Sequence, residues 1–154
     1  MSKNLQLELL EHYPIRDVAI GLNEPSGLAL NRSGSKLYTV SDDTKAIFNL
    51  NLQGKIITNS SFLVELNDLE GLALTSDDNE IIVVQESSNS VVRFDIANRK
   101  EIRRNPLSAM KNYDQIANHF RNEAHTKGLE GITINFSNDH TFVIKEGKPG
   151  LLIE

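Results

Sequence analysis

The sequence predicts an all-β fold built from β-propeller blades, and three observations lead to this prediction. First, a glycine that opens one apolar run is followed, 13 residues later, by the last apolar residue of a second run, and this happens three times. The three pairs are Gly27 with Val40, Gly71 with Val84, and Gly131 with Ile144. Second, the runs are short and β-branched and are bounded by Asn, Asp, Ser and Gly, as strands and turns are. Third, the first two glycines are 44 residues apart, which matches the roughly 40–45 residues of a four-stranded blade.

Each blade is predicted as a run of antiparallel strands joined by tight turns. Blade 1 covers about 25–65 with strands at 25–30, 36–43, 46–52 and 55–58; blade 2 covers about 69–106 with strands at 69–74, 80–87, 90–96 and 100–103; blade 3 covers about 129–154 with strands at 129–134, 140–147 and 151–153. Continuous apolar runs such as 81–84 are expected where neighbouring blades bury both faces of a strand. An irregular β-sandwich is the alternative fold, but it would not need the glycine-anchored repeat.

An insertion separates blades 2 and 3. The second and third glycines are 60 residues apart, so about 16 residues are added to the period. Within this stretch apolar residues such as Leu107, Met110, Ala117 and Phe120 recur at three- and four-residue steps. This spacing predicts one helix near 107–125, in a helical insertion of about 107–126.

The strand count predicts an assembly. Eleven strands in the blades and one alternating strand at 5–9, within a segment of about 4–12, make twelve, which is three blades of four. Propellers have about four to eight blades. We therefore expect a homodimer that closes a six-bladed ring, with the N-terminal strand of one chain completing blade 3 of the other at 151–153. The alternative is that the chain is a truncated piece of a longer ring.

Composition excludes several classes of protein. The chain of 154 residues has a net charge of −5 and no cluster of Lys or Arg, so it is not expected to bind nucleic acid. No apolar run approaches the ~20 residues of a membrane helix. The absence of Cys excludes disulfides and thiolate metal sites. No apolar signal segment follows the first residues, which predicts a cytoplasmic protein, with the cell envelope as the alternative if the chain is processed or truncated.

Four segments, 25–29, 69–73, 127–132 and 143–149, resemble the SdiA-regulated (YjiK-like) propeller family. The most specific parts are Lys-Gly-Leu-Glu-Gly at 127–131 and Val-Ile-Lys-Glu at 143–146. The resemblance implies a six-bladed propeller, related in style to esterase-like phytases and gluconolactonase-type propellers. In gluconolactonase-like propellers a glutamate in such a Glu-Gly step is a metal ligand, which implies a metal role for Glu70 and Glu130.

The first strands of propeller blades line the central channel, so Glu70 and Glu130 are expected at its mouth, with Ser26 at the same position in blade 1. Crowded carboxylates raise one another's pKa or recruit a cation. Oxygen ligands without Cys or a His cluster suit Ca²⁺ or Mg²⁺. The alternative is that each glutamate accepts a hydrogen bond from a backbone amide of an adjacent blade.

A second set of acids, Asp42, Glu86 and Glu146, follows the repeated glycines by 15 residues each. These residues are candidates for a second ring of oxygen ligands. The more ordinary interpretation, which we favour at this point, is that acids at strand ends accept hydrogen bonds from turn amides and stay solvated.

The absence of a nucleophile elbow, a P-loop and an H-E-x-x-H motif favours a binding or interaction module over an enzyme. Its acidic channel mouth is predicted to bind a divalent cation or a small ligand on the axis. One alternative is a calcium-dependent phosphoester or lactone hydrolase, although the most specific motif stretches, 127–131 and 143–146, offer only Lys127 and Lys145 for a phosphate. A second alternative is a half-propeller whose main property is self-assembly.

Overall fold

The structure is a computed structural model that describes residues 8–15, 21–121 and 127–154. Its described part contains three antiparallel sheets, each of which follows the chain order as a meander. Blade 1 consists of β1 (Pro25–Leu30), β2 (Leu37–Ser41), β3 (Ala46–Leu50) and β4 (Phe62–Leu63); blade 2 of β5 (Leu69–Leu74), β6 (Glu80–Gln85), β7 (Ser90–Asp95) and β8 (Lys100–Pro106); blade 3 of β9 (Leu129–Asn135), β10 (His140–Lys145) and β11 (Leu151–Ile153). The predicted all-β, blade-type fold is confirmed.

The register repeats from blade to blade. In blade 1, Leu30 pairs with Leu37, and in blade 2, Leu74 pairs with Ile81. In both blades the register shifts just before this stretch, between residues 25 and 28 and between residues 69 and 72, so that a β-bulge surrounds the repeated glycine.

The blades pack face to face and share apolar cores. Tyr38 and Val40 of blade 1 pack with Leu72 and Leu74 of blade 2. On its other face, blade 2 packs Val84 and its neighbours against blade 3. Blade 2 therefore has two covered faces, which explains the continuous apolar runs in β5 and β6.

The fourth strand of blade 1 differs from the prediction. The expected strand at 55–58 is replaced by a single bridge from Ile56 to Leu50, a 3-10 turn at Thr58–Ser60, and then β4. The Ser61 hydroxyl accepts a hydrogen bond from the backbone amide of Asn49. The hydroxyls of Ser60 and Ser61 both donate to the backbone carbonyl of Ile57. These side chains compete with strand pairing and delay the fourth strand to Phe62.

The insertion also differs from the prediction, because it is not one continuous helix. It forms three 3-10 turns at Leu107–Ala109, Tyr113–Gln115 and Ala117–His119, and 122–126 lie outside the described residues. Asn112 has a left-handed backbone (φ 63°), which interrupts the helix. The apolar spacing arises because successive turns each place a side chain, such as Leu107 or Phe120, on the core between blades 2 and 3. In the described part of the chain, no helix is long and apolar enough to cross a bilayer.

The N-terminal segment is described only in part. Residues 4–7 of the predicted segment, and with them most of the strand at 5–9, lie outside the described residues. Residues 8–12 have no regular secondary structure and expose Leu9 and Leu10. Further along, Ile15 and Leu22 pack against Phe48 and Leu50 on the face of blade 1 that points away from blade 2. The chain therefore covers part of this face itself.

Shortening one core side chain tests the packing between blades 1 and 2. Ile81→Val removes one methylene from a fully buried residue of this core. We expect the free energy of unfolding to fall by about 1 kcal/mol in urea denaturation, because the lost transfer free energy is joined by a small cavity. The matched control Ile102→Val alters an exposed isoleucine of β8 and should change it by less than about 0.5 kcal/mol. Equal losses in the two variants would contradict the burial described here.

Candidate functional site

Two glycines bring the inner strands of successive blades into close contact. A Cβ added to Gly71 would lie 2.8 Å from the Glu130 carbonyl oxygen and 2.8 Å from the Gly131 Cα. A Cβ added to Gly27 would lie 2.5 Å from the Glu70 carbonyl oxygen. Because glycine has no side chain, each Glu-Gly step can approach the preceding blade this closely. Glu70 and Glu130, the second residues of β5 and β9, are thus placed beside neighbouring blades.

Three glutamates form an acidic cluster at this end of blades 2 and 3. One carboxylate oxygen from each of Glu86, Glu130 and Glu146 lies within 4.8 Å of the other two. Glu86 follows β6 and is buried, and its Oε1 accepts a hydrogen bond from the Gly128 amide at 2.9 Å. Glu146 follows β10 and pairs with the Lys127 Nζ at 2.7 Å. We call Glu86, Glu130 and Glu146 the acidic triad.

Glu70 extends the acidic triad towards blade 1. Burial raises the pKa of Glu70, and the negative charges of Asp42, Glu86 and, more weakly, Asp68 raise it further. A hydrogen bond with the Ser26 side chain acts in the opposite direction. Glu70 therefore lies among acids of blades 1 and 2 in a setting that disfavours its charged form.

Glu130 is the most perturbed member of the cluster. Burial is the largest cause that raises its pKa to about 7, and the charges of Glu70, Glu86 and Glu146 add to it. A side-chain hydrogen bond with Glu86 also favours the protonated form. Near neutral pH, the Glu130 carboxyl consequently gains or loses its proton readily.

The structure combines the two predicted sets of acids into one site. Glu70 and Glu130 were expected at the channel mouth. Asp42, Glu86 and Glu146 were expected as solvated acids at strand ends, with a second ring of ligands as the alternative. Instead Glu86 and Glu146 surround Glu130, while Asp42 and Ser26 act on Glu70. Glu86 accepts a hydrogen bond from the backbone amide of Gly128, as was expected of an acid at a strand end, but it is buried rather than solvated.

Two residues near the site were not assigned to it from the sequence. Asp68 precedes β5 with a left-handed backbone (φ 54°) and contributes charge beside Glu70. Lys145 is fully buried; its Nζ donates to the Glu146 carbonyl oxygen at 2.6 Å and lies 5.4 Å from the centre of the Phe120 ring. The sequence showed Lys145 next to Glu146, but a lysine in an apolar strand pattern carries no signal that its ammonium group will be enclosed.

Antiparallel meanders packed face to face, with acids gathered where the inner strands begin, define a β-propeller-type protein. The model of the family described as SdiA-regulated matches residues 6–154, and the chain belongs to this family. No protein of the curated set matches the chain in sequence.

Solved structures show the same fold. Glutaminyl cyclase of Myxococcus xanthus matches 80% of this chain with a TM-score of 0.63 and 15% identity, and the chain spans 51% of it. Hydrazine synthase of Kuenenia stuttgartiensis matches 80% of this chain with a TM-score of 0.57 and 19% identity, and the chain spans 29% of it. Both are propeller-type proteins, and at these identities the likeness is one of fold alone.

Proposed function

We propose that the chain is a β-propeller binding module whose acidic channel mouth binds a divalent cation, with Ca²⁺ as the preferred ion. The observation that carries this proposal is the acidic triad, in which three carboxylate oxygens from two blades lie within 4.8 Å of one another. Ca²⁺ accepts several carboxylates in a flexible arrangement, whereas Mg²⁺ demands near-octahedral geometry and keeps several waters. A site made of crowded glutamates therefore suits Ca²⁺ better.

The electrostatics of the cluster support cation binding. Burial, and after it the charges of Glu70, Glu86 and Glu146, raise the pKa of Glu130 to about 7. A proton partly relieves this repulsion in the free protein, and a divalent cation would relieve it more completely. Binding would therefore displace the proton and allow all the carboxylates to be charged.

Binding is favoured over hydrolysis because of the positions of the nearby lysines. Lys127 is paired with Glu146, and the Lys145 ammonium is buried against the Glu146 carbonyl. Both lysines of the most specific motif stretches, 127–131 and 143–146, thus already bind Glu146, one at its carboxylate and one at its carbonyl oxygen. A calcium-dependent hydrolase of phosphoesters would need such groups to hold its substrate.

Calorimetric titration with CaCl₂ tests the proposed site. The wild-type protein should bind Ca²⁺, and Glu130→Gln should weaken binding by about tenfold or more, because it removes a charged ligand. The double variant Glu70→Gln/Glu130→Gln should bind more weakly still. As a matched control, Glu65→Gln removes the same charge at an exposed position outside the triad and should leave affinity unchanged.

Two results would overturn this function. The absence of binding to the wild-type protein would remove the cation site, and equal weakening by Glu65→Gln would reduce it to a general effect of net charge. Incubation of the same proteins with generic phosphoesters and lactones in CaCl₂ tests the hydrolase. If the wild-type protein hydrolyses one of these compounds and Glu130→Gln does not, the protein is an enzyme rather than a binding module.

A further inference from the structure

Neighbouring blades meet through one repeated set of positions. At the first junction, Tyr38 and Val40 of β2 pack against Leu72 and Leu74 of β5. At the second, the corresponding residues 44 positions later, Ile82 and Val84, share a core with Ile132 and Ile134 of β9, which follow Leu72 and Leu74 by 60 positions. We call the face that carries Tyr38 and Val40 in blade 1, and Ile82 and Val84 in blade 2, the forward face of a blade. The face that carries Leu72 and Leu74 in blade 2, and Ile132 and Ile134 in blade 3, is its backward face.

Blades 1 and 3 each expose one half of this junction. On the backward face of blade 1, Leu28 and Leu30 are 61% and 54% exposed, whereas their counterparts Leu72 and Leu74 are 4% and 3% exposed. On the forward face of blade 3, Ile144 is 53% exposed, whereas its counterpart Val84 is fully buried. The exposed face of blade 3 and the exposed face of blade 1 are thus the two complementary apolar halves of one junction.

The close contacts at the repeated glycines also indicate that a further blade packs against blade 3. The positions of a Cβ added to Gly27 and Gly71 are blocked by the backbone of the following blade, at 2.5 Å and 2.8 Å. At Gly131 an added Cβ would meet only the side chain of its own blade, with the nearest atom of Ile144 at 3.7 Å. In a single chain Gly131 therefore needs no close approach, and the repeat predicts that a further inner strand reaches it.

We infer that the chain pairs with a second copy of itself, the forward face of blade 3 in each copy docking on the backward face of blade 1 in the other. Two copies make six blades, within the four to eight of known propellers, and the two-fold axis yields two identical junctions that close the ring. The outer part of the backward face is already covered by Ile15 and Leu22. The inner positions Leu28 and Leu30 are left for the second copy.

The second copy would also contribute to the acidic mouth. Within one chain, Ser26 and Asp42 of blade 1 act on Glu70 of blade 2. The repeat places Ser26 of the second copy against Gly131, where the Glu-Gly step of the following blade lies at the other two junctions. The acids of blade 3 in one copy and of blade 1 in the other would then continue the cluster around the axis.

Sedimentation and light scattering in a chelating buffer, where the result does not depend on the cation site, test this assembly. The wild-type protein should have twice the 17.2 kDa mass of one chain. Gly131→Ala should raise the dissociation constant by about a hundredfold or more, because the added methyl group crowds both junctions of the ring. Ile144→Glu should act similarly by placing a charge on the forward face.

Folding of the variants is checked by circular dichroism. Gly131→Ala has room for its Cβ within one chain, and the Ile144 side chain is half exposed there, so both variants should keep their β structure. The control Gly150→Ala adds a methyl group at an ordinary 3.5 Å from its own loop and should stay dimeric. The inference would be overturned if the folded wild-type protein had the mass of one chain or of more than two chains. It would also be overturned if Gly131→Ala and Ile144→Glu formed dimers as tightly as the wild type.

Discussion

Replacing Gly71 with alanine is expected to lower the free energy of unfolding by about 3 kcal/mol, because the new methyl group has no space. Its Cβ would lie 2.8 Å from the Gly131 Cα, 2.8 Å from the Glu130 carbonyl oxygen and 2.9 Å from the Ile132 amide nitrogen. All three atoms belong to the backbone of β9, so no side chain can turn aside. Blades 2 and 3 must separate, and the acidic triad between them is disturbed at the same time.

Urea denaturation of all variants at the same protein concentration measures this loss, because the apparent stability of a chain that associates depends on its concentration. Gly150→Ala is the matched control, because its Cβ would meet loop carbonyl oxygens at 3.5 Å and 3.8 Å. It should change the free energy of unfolding by less than about 0.5 kcal/mol. A Gly71→Ala protein as stable as this control would show that the blades do not approach as closely as described.

The affinity for Ca²⁺ is expected to rise by about 25-fold between pH 5.5 and pH 7.5, because one proton with a pKa of about 7 must leave Glu130 before the carboxylate can act as a ligand. Below pH 7 each pH unit approaches a tenfold change, and above it the affinity levels off. Calorimetry across this range, repeated in two buffers of different ionisation heat, also detects the released proton. An affinity that does not vary with pH would contradict the role of Glu130.

Stability without Ca²⁺ should depend on pH in the opposite direction. The pKa of Glu130 is raised from 4.5 to about 7 in the folded protein, so between these values the folded state binds more protons than the unfolded state. The contribution of Glu130 is therefore fully present below about pH 4.5 and is lost as the pH rises through 7. Thermal unfolding with and without CaCl₂ should show this decline, and Glu130→Gln should remove it.

The blades were predictable from the sequence because their signals are local. Short β-branched runs, turn residues such as those at 31–34, and the 13-residue step from each glycine reflect pairing between adjacent strands. The late strand β4 and the three 3-10 turns of the insertion were not predicted. There the chain follows hydrogen bonds of Ser60 and Ser61 and packing against two blades, which compete with local propensity.

The candidate site was predictable in its residues but not in its arrangement. Glu70, Glu130, Glu86 and Glu146 stand at repeated positions, so the sequence identifies them as two sets. That Glu86 shares a cluster with Glu130 depends on how far one blade is turned against the next, and the repeat carries no such information. The burial of Lys145 and the charge of Asp68 beside Glu70 were hidden for the same reason.

By itself the sequence determined the blade-type fold, the family resemblance, and the acids that begin or end the repeated strands, since strand pairing and turns are written in neighbouring residues. Only the tertiary structure decided that Glu86 and Glu146 lie beside Glu130 and that burial raises the pKa of Glu130 to about 7. It also decided that Leu28 and Ile144 face outward while their counterparts are buried. The physical reason is that desolvation, charge repulsion and blade packing depend on distances between residues far apart in the chain.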